Sequence, residues 1–237
     1  QREAIDPRKI VSVSIMPCSA KKFECSRPEM GREHTADVDY VLTTRELGQL
    51  LRMFGVELKA LEPETADTPF GERTTAGKIF GASGGVMEAA VRSAHFLLTG
   101  KELADLKILP LRGLQGCKEL KVQVDSLEVG AAVVSGLGNA RKLLAQIRKG
   151  RNDLHFIEVM TCPGGCINGG GQPLNADIEA VRARMQALYK IDQDGEIRVS
   201  HRNPWVTKLY DEFLGKPLGE TSHRLLHTHY GKREVMV

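Results

Sequence analysis

Aromatic residues are scarce, 5% of 237 residues, and only one of them is a tryptophan, Trp205. A surface that stacks nucleic-acid bases needs more of them. Charge of one sign is lacking too: 33 basic residues face 30 acidic ones, the net charge is +3, and no basic run breaks the balance. Binding of nucleic acid therefore has no support in the composition. No apolar stretch reaches the roughly 18 residues of a bilayer crossing, so no membrane span is expected. No signal peptide is visible. The five cysteines are an odd number, and the three with motif context do not sit in disulfide-like settings, which points to a reducing, cytoplasmic compartment. Cys25 and Cys117 carry no motif and read as ordinary thiols.

What is present suits one α/β domain: 41% hydrophobic and 27% charged residues over this length can bury a sizeable core. Strand and helix signals alternate. The β-branched run from Ile10 to Ile15, the segments Val38–Leu42, Lys118–Val124 and Leu127–Val134, and Leu154–Met160 read as strands, the first and last of them buried. Thr44 reads as the cap of a helix over Arg45–Phe54, Gly85 opens a helix that Gly100 closes, and further helices are expected over Ala140–Arg148 and Asn175–Lys190. Glu57–Thr75 is polar and reads as a surface excursion. Past Gly195 come two short helices interrupted at Gly215–Gly219. The expected fold is a central, mostly parallel sheet flanked by helices, residues 1–200, with a short helical tail, residues 201–237.

The densest information lies in Met160-Thr-Cys-Pro-Gly-Gly-Cys-Ile-Asn-Gly-Gly-Gly-Gln-Pro173. Two cysteines four apart, Cys162 and Cys166, stand in a glycine-rich turn where a strand hands over to a helix, a place where ligand sites concentrate in α/β sheets. Glycines such as Gly164 and Gly165 can take left-handed angles and bring backbone N–H groups close to an anionic cluster. A second segment, Met16-Pro-Cys-Ser-Ala-Lys-Lys-Phe-Glu24, again ends a strand in a cysteine, Cys18. Gly136-Leu-Gly138 lacks the third glycine and the acidic residue of a nucleotide loop, and Gly81–Gly85 lacks the ending of a P-loop. His223, His227 and His229 suggest a metal by spacing, with packing histidines on a docking helix as the plainer reading.

The two cysteine segments resemble the second and third signature motifs of the catalytic domain of [FeFe]-hydrogenases, Met-Pro-Cys-x-x-Lys-x-x-Glu and Glu-x-Met-x-Cys-x-x-Gly-Cys-x-x-Gly-Gly-Gly-Gln-Pro. Phe80–Ala89 and Ser222–Tyr230 extend the resemblance over nearly the whole chain. It implies a [4Fe–4S] cubane joined to a binuclear [2Fe] unit bearing CO, cyanide and an azadithiolate, together the H-cluster, at which H2 and protons interconvert. Carried over, Cys18, Cys162 and Cys166 would ligate the cubane, and Cys166 would also bridge to the binuclear iron. Lys21 would donate a hydrogen bond to a cyanide, with Glu24 as its partner. Met16 and Met160 would line the binuclear site, and the backbone at Gly81, Ala82 and Gly165 would wall it.

The family's first motif, Thr-Ser-Cys-Cys-Pro, with the fourth cubane ligand and the proton-donating cysteine, is not in this sequence. The chain, which begins at Gln1 and runs at once into a strand, reads as the C-terminal part of a larger polypeptide, completed by an upstream segment. Electrons would pass to iron–sulfur or flavin subunits or to ferredoxin, and the ending Tyr230–Val235 resembles NAD(P)-linked, multi-subunit members. Two other readings stand beside this one. The first is a hydrogenase-like iron–sulfur scaffold or assembly protein without H2 chemistry. The second is structural zinc on Cys18, Cys162 and Cys166.

Overall fold

A computed structural model describes residues 5–32, 35–68, 71–124, 127–174 and 177–232, with the side chains of 124 and 127 excepted. The expected helix start at 175–176 and the ending at 233–235 lie outside the described residues. The architecture is α/β. It divides into two compact units, one of Gln1–Asp67, Gly170–Pro173 and Lys208–Val237, the other of Thr68–Gly169 and Leu174–Thr207. No helix among the described residues is long and apolar enough to cross a membrane.

In the first unit, β1 (Val13–Met16) pairs in parallel with β4 (Tyr40–Thr43), and β2 (Gly31–Arg32) pairs antiparallel with β3 (Thr35–Ala36). Pro17 and Cys18 follow β1 directly and lead into the short helix α1 (Ala20–Glu24). Helix α2 (Thr44–Met53) starts from a capping box: Thr43 Oγ1 accepts from the Glu46 N–H, and Glu46 accepts from the Thr43 N–H at 2.8 Å. The cap is therefore Thr43 and not Thr44, because the reciprocal glutamate must stand three residues on. Gly171 joins this unit through its N–H, which donates to Pro17 O at 2.9 Å. The tail runs from α6 (Pro204–Leu209) through a π-helical turn, Tyr210–Leu214, to α7 (Glu220–Leu226).

The second unit is layered. Its sheet has the order β5 (Cys117–Val124), β6 (Leu127–Ser135), β7 (Phe156–Met160), with β5–β6 antiparallel and β6–β7 parallel. Strand β6 is buried on both faces. Ala131 and Val133 pack with Met87 of α3 (Gly85–Thr99), and Ala132 and Val134 pack with Ala140 and Leu143 of α4 (Leu137–Arg148). Such a two-sided strand reads as an unbroken apolar run, as this one does. Each fully buried valine contributes roughly 1.5–3 kcal/mol. Helix α3 lies between two left-handed glycines, Gly84 and Gly100. Helix α5 (Ile178–Asp194) is capped by Asp177, whose Oδ1 accepts from the Ala180 N–H at 2.8 Å. It covers Ala82 and Ile167 with Val181 and Met185.

Two strands read as buried are half-exposed instead. Val13 and Ile15 of β1, and Phe156 and Val159 of β7, all remain exposed. The reason is position: β1 pairs with β4 alone and β7 with β6 alone among the described residues, so an apolar run along either strand does not imply cover on both faces.

Charge is also buried in this unit. Glu88, Arg92 and Asp192 are each 0% exposed. Arg92 donates to both oxygens of Asp192, at 2.9 and 2.8 Å, and to Glu88 at 2.6 Å. Arg112 closes on Glu88 from the other side, and Arg198 on Asp192 at 3.0 Å. The Arg112 guanidinium lies 3.9 Å from the ring centroid of Tyr189. Isolated buried charges would be costly; paired and hydrogen-bonded ones are tolerated.

Candidate functional site

The cysteine turn begins where β7 ends. Ser135, the last residue of β6, places one hydroxyl between two atoms of that turn: it donates to Cys162 O at 3.2 Å and accepts from the Gly164 N–H at 2.9 Å. Ser135 is itself steadied by Asn139, whose side chain donates to Ser135 O at 2.8 Å. Gly164 and Gly165 have φ of +83° and +98°, angles that residues with a Cβ rarely take. At Gly165 a Cβ would also lie 2.6 Å from Ser83 N and 2.8 Å from Gly81 O. The turn and the Gly81–Gly85 stretch are thus in backbone contact, sealed by the Ser83 N–H donating to Gly164 O at 3.0 Å. Gly81, Ala82, Gly165 and both cysteines come together in this way.

Three buried polar groups, none identified from the sequence, surround that contact. Glu158 of β7 accepts from the N–H of Gly84 at 2.6 Å and of Met87 at 2.8 Å. Lys118 of β5 donates to Ser83 O at 2.9 Å and Gly113 O at 3.0 Å. Burial pushes its ammonium below the usual lysine value, and the Glu158 carboxylate opposes that shift. Ser83 Oγ is fully buried with no hydrogen-bond partner among the described residues. The motif glutamate at 158 was a signal for this group; nothing in the sequence marks Lys118.

In the other unit, Cys18, Lys21, Glu24, Arg27 and Tyr230 line a cavity of about 330 Å³. Lys21 forms an ion pair with Glu24. That hydrogen bond raises the Lys21 pKa above its ordinary value, with Cys18 and Tyr230 adding to the effect and burial opposing it. The ammonium therefore stays charged beside the Cys18 thiol. Tyr230 is held there by the segment after α1. Arg27 lies 4.6 Å from its ring centroid, its hydroxyl reaches Met30 Sδ, and Glu29 accepts from the Gly231 N–H at 2.7 Å. Glu29, bonded by Arg27 and by backbone N–H groups, has its pKa lowered to about 2. Tyr230 belongs to a quoted motif, yet spacing alone does not place it beside Cys18.

Met16, Cys18 and Lys21 thus fall in one unit, and Met160, Cys162, Gly165, Cys166, Gly81 and Ala82 in the other. No cysteine forms a disulfide. The donor set suits an iron–sulfur group: reduced thiols, a glycine whose Cβ would fill the cradle, and an orphaned buried hydroxyl beside it. Among the described residues no three His, Cys, Asp or Glu side chains are grouped to hold a single metal ion. In the tail, His223 and His227 share an Nδ1–Nδ1 hydrogen bond of 2.7 Å.

Known proteins share this sequence and fold. Residues 1–170 match the family model of the iron-only hydrogenase large subunit, C-terminal domain, and residues 178–233 match that of the iron hydrogenase small subunit. The NADP-reducing hydrogenase subunit HndD of Solidesulfovibrio fructosivorans is 49% identical over 97% of the chain and 39% of its own length. Cytosolic iron-sulfur assembly component 3 of Rattus norvegicus is 35% identical over 97% of the chain and 49% of its own length. The chain therefore spans less than half of either relative. A solved structure of a variant of the [FeFe]-hydrogenase HydA1 from Chlamydomonas reinhardtii is 37% identical, with a TM-score of 0.80 over 97% of this chain and 65% of that one. With one family model matching most of its length and a second matching its tail, the chain belongs to the iron-only hydrogenases, as the C-terminal domain of the large subunit followed by a small-subunit-like segment.

Proposed function

We propose that this chain is part of a hydrogenase that interconverts H2 with protons and electrons, in which Cys18, Cys162 and Cys166 are three of the four thiolates of a [4Fe–4S] cubane. An upstream segment supplies the fourth. Cys166 also joins the cubane to a binuclear iron unit with CO, cyanide and azadithiolate ligands. When bound, that unit supplies the reversible splitting of H2 into two protons and two electrons.

The residues of the chain have separate tasks. Cys162 and Cys166 leave β7 in a turn whose shape Ser135 fixes at two backbone atoms. Lys21, kept charged by Glu24, offers an ammonium donor to a cyanide; a compact charged donor suits an anionic ligand. The thioethers of Met16 and Met160 provide soft apolar contacts. The backbone at Gly81, Ala82 and Gly165 forms a wall without side chains, which admits bulky ligands and keeps water out. Electrons leave through the cubane to iron–sulfur or flavin subunits or to ferredoxin.

The observation that carries this reading is Lys21 in one cavity with Cys18. A protein that only carries a cubane needs thiolates and has no use for a cation held charged beside one of them. The second reading, an iron–sulfur scaffold without H2 chemistry, is favoured by the 35% identity to an assembly component. An infrared spectrum of the full-length protein, purified without oxygen after maturation, separates the two. Metal-bound CO and cyanide stretches are expected. A protein that carries its cubane after full maturation yet lacks those bands is a scaffold.

A further inference from the structure

Glu158 is 6% exposed and Lys118 is 4% exposed, and neither has a task in the chemistry above. Both are spent on backbone atoms of one short segment. Glu158 takes the N–H groups of Gly84 and Met87, donors at the start of α3 that have no acceptor within the helix. Lys118 takes the carbonyl of Ser83. The N–H of Ser83 goes to Gly164 O in the cysteine turn. Residues 83–87 are thus held at four points, from β5, from β7 and from the turn.

The glycines leave this segment no slack. A Cβ at Gly84 would lie 2.0 Å from Leu111 O, and one at Gly85 would lie 1.8 Å from Ile79 O. Glu158 also stands only four residues before Cys162 on the same strand. One strand therefore carries both the carboxylate that grips the glycine wall and the cysteine turn that the wall touches.

We propose that Glu158 and Lys118 are positioning residues that set the spacing between the Gly81–Gly85 backbone and the Cys162–Cys166 turn, and so shape one wall of the binuclear-iron pocket. The proposal rests on the hydrogenase reading above. Neither side chain touches the iron group; both act through the backbone they hold. The charge is needed on both sides, since a carboxylate accepts from two N–H groups while an amide of the same shape turns a donor toward one of them.

The test uses the full-length protein with Glu158→Gln and, independently, Lys118→Met, whose aliphatic stem fills the same space. Leu143→Ala, in the core between β6 and α4, serves as a stability-matched control. In Glu158→Gln, amide hydrogen exchange at Gly84 and Met87 is expected to quicken at least about tenfold while that of β6 is unchanged, because a lost acceptor frees only its own donors. In the loaded protein, the CO and cyanide bands are expected to shift or split at unchanged cubane content. Turnover should fall on the order of tenfold to a hundredfold, the usual consequence of a small misplacement near reacting atoms. Bands that superimpose on those of the wild type in both variants, or that move equally in Leu143→Ala, overturn the proposal. Should the wild-type protein itself show no such bands, the hydrogenase reading fails, and the clamp is decided by exchange: unaltered rates at Gly84 and Met87 overturn it.

Discussion

Replacing Asp192 by asparagine removes one negative charge from a buried group of three guanidiniums and two carboxylates while keeping the side-chain shape. Asp192 accepts from Arg92 at 2.9 and 2.8 Å, from Arg198 at 3.0 Å and from Thr75 Oγ1 at 3.0 Å. The amide keeps one acceptor and points its own donors at a guanidinium. Arg92, fully buried, is then left to share Glu88 with Arg112. Breaking one side of a buried pair costs ~3–5 kcal/mol. In a chain of this size that lowers the melting temperature by roughly 6–20 °C. The pH dependence is a second handle. Burial raises the Asp192 pKa, but the bonds from Arg92 and Arg198 outweigh it and hold the group below 3.8. A carboxyl depressed in the folded state contributes its stability above the unfolded pKa and loses it as pH falls through the folded one. The gap between wild type and Asp192→Asn should thus be full at neutral pH and narrow below about pH 4. Urea unfolding of both proteins across that range measures it. A neutral-pH loss under about 1 kcal/mol, within the range of an exposed ion pair, or a gap that does not change with pH, would refute the reasoning.

Other changes test single local arguments. Thr43→Ala removes the capping box and should cost about 1 kcal/mol, read as faster amide exchange in the first turn of α2 alone. Gly165→Ala puts a Cβ 2.6 Å from Ser83 N at a φ of +98°; such strain costs ~1–3 kcal/mol before any clash, and iron bound per protein should fall even where the variant folds. Lys21→Asn should keep the cubane signal while the CO and cyanide bands lose intensity. Full band intensity and full turnover in that variant would remove Lys21 from the site.

Local signals made the helices legible. Gly100 ends α3, and the glutamate three residues after Thr43 identifies a helix start to within one residue. The first turn of α4 lies ahead of its expected start at Ala140, because Gly136, at φ +88°, makes the strand-to-helix turn and lets Leu137 begin the helix. Cys18, Cys162 and Cys166 were legible because their chemistry needs fixed spacings within one segment. Burial was not, since an apolar strand reads alike with one neighbour or two. Nor were the partners of Glu158 or Arg92. Arg92 and Asp192 are 100 residues apart, and no periodicity joins a guanidinium to a carboxylate at that distance. Lys118 reads as an exposed strand residue until Ser83 and Gly113 are found at its tip.

The buried charges also bear on how such a protein can be encoded. Glu88, Arg92 and Arg112 lie in the stretch that matches the large-subunit family, Asp192 and Arg198 in the stretch that matches the small-subunit family. A gene divided between codons 170 and 178 would yield one product with Arg92 stripped of Asp192 and another with Asp192 stripped of Arg92. Each would bury a charge that only the other product neutralises, so an unassembled copy of either would be a substrate for proteolysis. Two genes would then have to be expressed in matched dose. Joined in one reading frame, the two stretches are made one to one by translation itself.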